Sequence, residues 1–279
     1  MSPTTFAPRA AAFAAVLLGA FVAGVSMWAA GASALAPQAT LGGVFTPERL
    51  GGRTTLDFSF SFSAPVGQVP PPLTQVELSY PDNLGIGLSG LGLATCTASV
   101  LEAMGPSGCS PNSVMGFGEA LTGIVLGSTP IEENAPITIL RTPDSEGHFS
   151  LLFFAEGTTP VDTHILFPGL LLPASAPFGG KVSIGVPLVP TLPGAPYISV
   201  IQIHATLGPH KVTYYEQAGG KTLAYQPKGI LLPVVCPRAG FPFAAQFSFL
   251  DGSVATARTS VPCPAKAARR VKSAKKKSR

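Results

Sequence analysis

Charge is scarce in this chain: Asp, Glu, Lys and Arg together make up 11% of its 279 residues, against 46% hydrophobic. That balance excludes the charge-rich, poorly hydrophobic composition that keeps polypeptides unfolded. Reactive motifs are missing as well. No Gly-x-Ser-x-Gly nucleophile elbow occurs, and Gly180-Lys-Val-Ser-Ile-Gly185 has the wrong spacing for one. The four histidines, His148, His164, His204 and His210, form no His-Glu-x-x-His pair, so they read as scattered surface or turn residues. Asp144-Ser-Glu146 falls short of a calcium loop and reads as turn chemistry. Gly90-Leu-Gly92 neither follows a convincing strand nor opens a phosphate-binding helix, and reads as a loop. The one tryptophan, Trp28, lies in the N-terminal apolar run. No catalytic residue, metal ligand or cofactor site is assigned.

Long helices are disfavoured by 31 Gly and 29 Pro, which in a helix interior cost roughly 1 and 3 kcal/mol relative to Ala. Alternation takes their place. Leu56, Phe58, Phe60 and Phe62 interleave with Asp57, Ser59, Ser61 and Ser63, the pattern of a strand with one face buried and one wet. Val69-Pro-Pro-Pro72 is a stiff connector, and Leu73–Tyr80 alternates again. Further strands are expected near Val114–Leu126, Ile137–Thr142, His148–Ala155, Val182–Val186 and Tyr197–Leu207. Leu151-Leu-Phe-Phe154 should be buried on both faces, across a hairpin loop at Pro143–Gly147. Thr97–Ala103 is the one candidate helix, with Ser99 and Glu102 at capping-box spacing and Gly105 ending it. Ten to twelve strands at these spacings predict an all-β fold, an antiparallel β-sandwich or jelly-roll-like arrangement.

Two hairpins carry definite registers. Gly219-Gly220 as a two-residue loop sets Tyr214 opposite Tyr225. In the second, Phe241, Phe243, Ala245, Phe247 and Phe249 share one face. With Asp251-Gly252 as its two-residue loop, Phe249 faces Val254, Phe247 faces Thr256, and Cys263 lies near Gly240.

The chain divides into residues 1–34, an export signal or retained anchor, 35–264, a β domain, and 265–279, a flexible basic tail. Arg9 precedes an apolar run from Ala10 to Ala36, and Ala32-Ser33-Ala34 suits cleavage before Leu35; uncut, the run is long enough to span a bilayer. Either alternative places the domain outside the cytoplasm. Four cysteines allow three pairings or a metal site. Their spacing lacks the close pairs of structural zinc, and export favours disulfides Cys96–Cys109 and Cys236–Cys263, with no metal.

The order Gly90-Leu-Gly-Leu-Ala-Thr-Cys96, Gly105-Pro-Ser-Gly-Cys109-Ser-Pro, Gly116-Phe-Gly118, Cys236-Pro, Phe249-Leu-Asp-Gly252 and Cys263-Pro resembles a recurrent group of uncharacterised exported proteins of soil actinomycetes. The resemblance implies an extracellular β-rich protein. It brings no activity, cofactor or catalytic residue.

The net charge of +4 hides two unlike regions. Lys266, Arg269, Arg270, Lys272, Lys275, Lys276, Lys277 and Arg279 crowd the tail; with Arg9 set aside, nine basic residues face fourteen acids, leaving the body near −5. The expected function is that of an exported, non-catalytic envelope-associated or secreted structural or binding protein. Its tail would be a solvated appendage or a tether to anionic envelope polymers or lipid headgroups, with export disfavouring nucleic acid. Two other readings stay open. Tyr214, Tyr215 and Tyr225 could form a glycan-binding surface or merely hold their hairpin together. A glycan-degrading enzyme would need two carboxylates across a cleft; the loosely grouped Glu132, Glu133, Glu156 and Asp162 are expected to be solvated loop charges.

Overall fold

The structure is a computed structural model. It describes residues 37–86, 94–159, 162–191, 194, 196–209 and 211–264. The N-terminal apolar run, the Gly90-Leu-Gly92 loop, His210 and the eight-residue basic cluster of the tail lie outside these.

Fifteen strands occupy the described chain: β1 (Ala39–Thr46), β2 (Arg53–Phe62), β3 (Leu73–Pro81), β4 (Gly85–Ile86), β5 (Val114–Leu126), β6 (Thr129–Ser145), β7 (His148–Gly157) and β8 (Thr163–Leu172), followed by β9 (Phe178–Gly185), β10 (Ser199–Leu207), β11 (Tyr214–Ala218), β12 (Lys221–Tyr225), β13 (Ile230–Leu231), β14 (Phe241–Phe249) and β15 (Val254–Val261). Thirteen form one antiparallel sheet in the order β15-β14-β3-β9-β8-β7-β6-β5-β10-β2-β13-β4, with β1 also on β2; β11 and β12 form a separate ribbon. The sheet curls until its ends meet. β1 packs along β15, and Phe60 and Phe62 of β2 contact Phe247 of β14 with ring centroids 4.9 and 4.8 Å apart.

Alternation explains the curl. Leu56, Phe58, Phe60 and Phe62, and likewise Phe241, Phe243, Phe247 and Phe249, are buried, while Gln246, Thr256 and Arg258 face water. A sheet with one apolar face must cover it, and here it covers itself.

β7 is buried on both faces, as the Leu151–Phe154 run predicts, and β6 is so only at Ile139–Leu140. Leu151 and Phe153 join the interior core, while Leu152 and Phe154 pack outside with Val114, Leu140 and Leu101. Leu101 belongs to α1 (Ala98–Met104), the short helix held over these strands. Its N-cap is Thr97 and not Ser99, so the expected capping box is displaced and absent; Gly105, at φ 63°, ends it as expected.

Both disulfides are present, Cys96–Cys109 and Cys236–Cys263, with Cα separations of 5.6 and 5.8 Å. The first secures α1 against β6, where the Cys96 amide donates to the Arg141 carbonyl at 2.8 Å. Two disulfides are what an oxidising, extracytoplasmic compartment sustains. Among the described residues no helix is long and apolar enough to cross a membrane.

Three local expectations are corrected. The β14–β15 register is one residue off the expected one: Phe247 faces Ala255 and Phe241 faces Val261. Only Gly252 takes positive φ, at 81°, so the loop is Leu250-Asp251-Gly252, with the Phe249 amide donating to the Ser253 carbonyl. A three-residue loop with glycine in the left-handed position replaces the two-residue turn, which would need positive φ at Asp251 as well. The loop between β6 and β7 tightens to Glu146-Gly147, at φ 53° and 76°. Glu132 and Glu133 lie within β6 and not in a loop.

Candidate ligand cavity

The curled sheet is not evenly filled. Along β1, β2, β14 and β15 the interior is packed with phenylalanines, among them edge-on pairs Phe45–Phe241 at 5.6 Å and Phe62–Phe249 at 5.1 Å. Across β10, β5, β6 and β7 many of the inward positions are Ala or Gly, interspersed with Ile. One row runs Ala205, Gly118, Ile137, Ala155, and the next runs Ile203, Ala120, Ala135. Where Ala faces Ala on adjacent strands, nothing reaches the far wall. A curled sheet of this many strands has more interior than such side chains can fill.

The result is an apolar cavity of about 120 Å³. Ala120, Ala135, Ala155 and Ala205 line one side; Phe58 and Phe60 line another, and the stacked pair Phe153–Phe167, 5.2 Å apart and within 6° of parallel, closes a third. Pro187, which is exposed, also lines it, with Val189 and Ile198. A second cavity of about 80 Å³ lies further along the interior, lined by Leu56, Met115, Phe149, Leu171 and Phe243 among others. Leu78 lines both. On β7 the lining passes from Leu151 to Phe153, and on β10 from Leu207 to Ala205, so the two cavities lie end to end.

Polar groups are few and already engaged. Thr122 is the one hydroxyl lining the larger cavity, and its Oγ1 donates to the Glu133 carbonyl at 3.3 Å. Tyr80 lines the smaller cavity, and burial raises the pKa of its phenol, favouring the neutral form. Among the described residues no carboxylate or imidazole lines either cavity. A sugar or an ion entering such a space would lose its hydrogen bonds to water without replacement.

The tyrosine surface takes a different form from a binding platform. Tyr214 does face Tyr225, at 5.9 Å and 70° between ring planes, but Tyr214 is 0% exposed and its hydroxyl donates to the Val114 carbonyl. Tyr215, on the opposite face of the ribbon, is exposed, and its amide donates to Asn112 Oδ1 at 2.9 Å. The pair therefore anchors the ribbon to the body. The sequence sets Tyr214 opposite Tyr225 and leaves open whether the residues form a surface or hold their hairpin together; the structure gives the pair the second role, and nothing local says that the ribbon folds back over Val114.

Glu133, one of the loosely grouped acids, has structural partners. Glu133 Oε1 accepts from the Thr158 hydroxyl at 2.7 Å and from the Thr158 amide. Partial burial pulls the Glu133 pKa upward, but the hydrogen bonds from Thr158 and Thr159 outweigh it and leave the pKa below the ordinary value. Among the described residues no group of three or more His, Cys, Asp or Glu gathers in a metal-binding arrangement. The cavity itself went unseen in the sequence, although its signal was present: Ala120, Ala135, Ala155 and Ala205 stand where neighbouring strands carry Phe and Ile.

These features define a class: an antiparallel, disulfide-braced curled sheet with an apolar cavity in its interior. The chain matches no protein-family model, no curated protein and no solved structure.

Proposed function

We propose that this is an exported, non-catalytic, envelope-associated binding protein that holds a slender apolar molecule, such as an acyl chain, inside its sheet. The observation that carries the reading is the row of alanines. These small side chains leave about 120 Å³ of apolar space, near the size of the ~150 Å³ apolar cavities that stay dry and take up benzene. Such a lining supplies affinity through area removed from water, on the order of 25 cal/mol per Å². It offers no charged group for acid–base work. The basic tail contributes retention at anionic envelope polymers or lipid headgroups, and the two disulfides suit a life outside the cytoplasm.

Titration of the exported, oxidised protein with a fluorescent acyl-chain probe tests this. Saturable binding near one probe per chain, displaced by an unlabelled fatty acid, is expected. Absence of displaceable binding would remove the cavity as a functional site.

A further inference from the structure

The body carries a second apolar feature, on its surface. Val234 and Val235 are 77% and 73% exposed, and Leu50 and Leu231 beside them are also exposed. Backbone bonds hold the group together: the Gly51 amide donates to the carbonyls of Leu232 and Pro233 at 3.1 and 3.2 Å. Val234 lies against Gly51, so close that a Cβ there would sit 3.0 Å from its Cγ1. Arg49 and Arg238, both exposed, flank the group in sequence. Two adjacent valines held outward on a braced loop are not explained by packing, since they give the core nothing.

What makes the patch informative is where the basic tail begins. Cys236 follows Val235 directly and is bonded to Cys263. Lys266, the first of the eight tail cations, comes three residues after Cys263. The disulfide thus ties Cys236, next to the exposed valines, to Cys263, three residues before the first tail cation in sequence. Removing the bond would leave the tail attached to β15 but free of the patch loop.

We infer that Val234 and Val235, with Leu50 and Leu231, form a docking surface for an anionic lipid bilayer, and that the tail binds the headgroups around them. The two elements supply the two signals that lasting peripheral attachment needs, apolar insertion and a polybasic segment. Charge complementarity selects the lipid over the alternatives. A second copy of the chain, meeting face to face on this patch, would bring two sets of eight like charges together. A hydrophilic polyanion would satisfy the tail but leave the valines in water, where they gain nothing. The inference makes specific the retention part of the proposed function and does not depend on the cavity.

The test is sedimentation of the exported protein, disulfides intact, with vesicles of phosphatidylcholine alone and with added phosphatidylglycerol, beside binding to soluble heparin as a lipid-free polyanion. Binding to the anionic vesicles is expected, with part of it surviving salt that abolishes heparin binding. The double variant V234S/V235S should lose about a hundredfold or more in vesicle affinity, as expected for two apolar side chains no longer inserted, while heparin binding is unchanged. A variant that sediments like the parent overturns the docking surface and leaves a tail tether alone. A parent protein that light scattering finds dimeric, made monomeric by V234S/V235S, overturns it in favour of self-association. Acyl-probe titration of the same variant should match the parent, so failure of the cavity reading and failure of the docking surface are read separately.

Discussion

Ala120 of β5 lies directly opposite Ala135 of β6, both pointing into the sheet interior. Two methyl groups facing one another across neighbouring strands are a gap in a wall that elsewhere carries Ile137, Ile139 and Phe153. Close-packed interiors do not leave such space without a cost in dispersion energy. Filling it should therefore separate stability from binding. Ala135→Leu is expected to keep or raise the melting temperature, while acyl-probe affinity falls at least tenfold. Phe247→Ala, in the packed half, should cost about 3–5 kcal/mol by chemical denaturation. If Ala135→Leu destabilises by several kcal/mol, the space is smaller than a leucine needs and the cavity reading fails.

Gly252 governs the β14–β15 register. At φ 81° it occupies the left-handed position of a three-residue loop, and nothing lies within 4 Å of where a Cβ would stand. Gly252→Ala should therefore cost about 1–2 kcal/mol from backbone strain alone, with no steric component. Asp251 contributes separately, through Oδ1 accepting the Ser253 amide at 2.9 Å, and Asp251→Ala should cost about 1 kcal/mol. Urea denaturation of both variants measures the two effects. Equal effects from Gly252→Ala and Gly252→Asn would indicate that steric crowding is involved after all, since Asn tolerates this conformation better than Ala.

This hairpin shows what was legible and what was not. The phenylalanine parity was plain, and so were the strands around it, because period-two burial is written in every second residue. The register was readable too, from the other strand: Ala255, Ala257 and Val261 are buried, and Arg258 and Ser260 exposed. A loop of three residues puts that apolar set opposite the phenylalanines; a loop of two would turn Arg258 inward. The preference for a two-residue Asp-Gly turn outweighed this longer-range pattern. The cavity was harder. The four alanines mark where side chains are short, but not whether the opposite wall is near, and that depends on how thirteen strands curl together.

Tyr214 anchors the β11–β12 ribbon through a buried hydroxyl bond to the Val114 carbonyl. Tyr214→Phe keeps the ring and leaves that carbonyl short of a partner, so a loss of about 1–3 kcal/mol is expected. Tyr215, 53% exposed, should tolerate Tyr215→Phe within about 0.5 kcal/mol. Thermal melts of the two variants measure the difference. A glycan surface would invert the ranking in a binding assay, with Tyr215 the residue that matters.

Glu133 gives the fold an acid limit of known sign. Its carboxylate gathers the Thr158 hydroxyl and the amides of Thr158 and Thr159, tying the end of β7 to β6. Burial opposes the charged form, yet the hydrogen bonds prevail and the folded-state pKa lies below the unfolded one. A group shifted downward stabilises the fold above its unfolded pKa, near 4.3 for glutamate, and that contribution drains away as pH falls through the lower, folded value. Glu133→Gln should therefore be less stable than the parent at neutral pH, with the gap narrowing below about pH 4. Because the carboxylate is largely solvated, the gap should be modest. Paired melting curves at pH 7, 5 and 3 measure it, and a gap that widens on acidification would mean that Glu133 acts through its shape and not its charge.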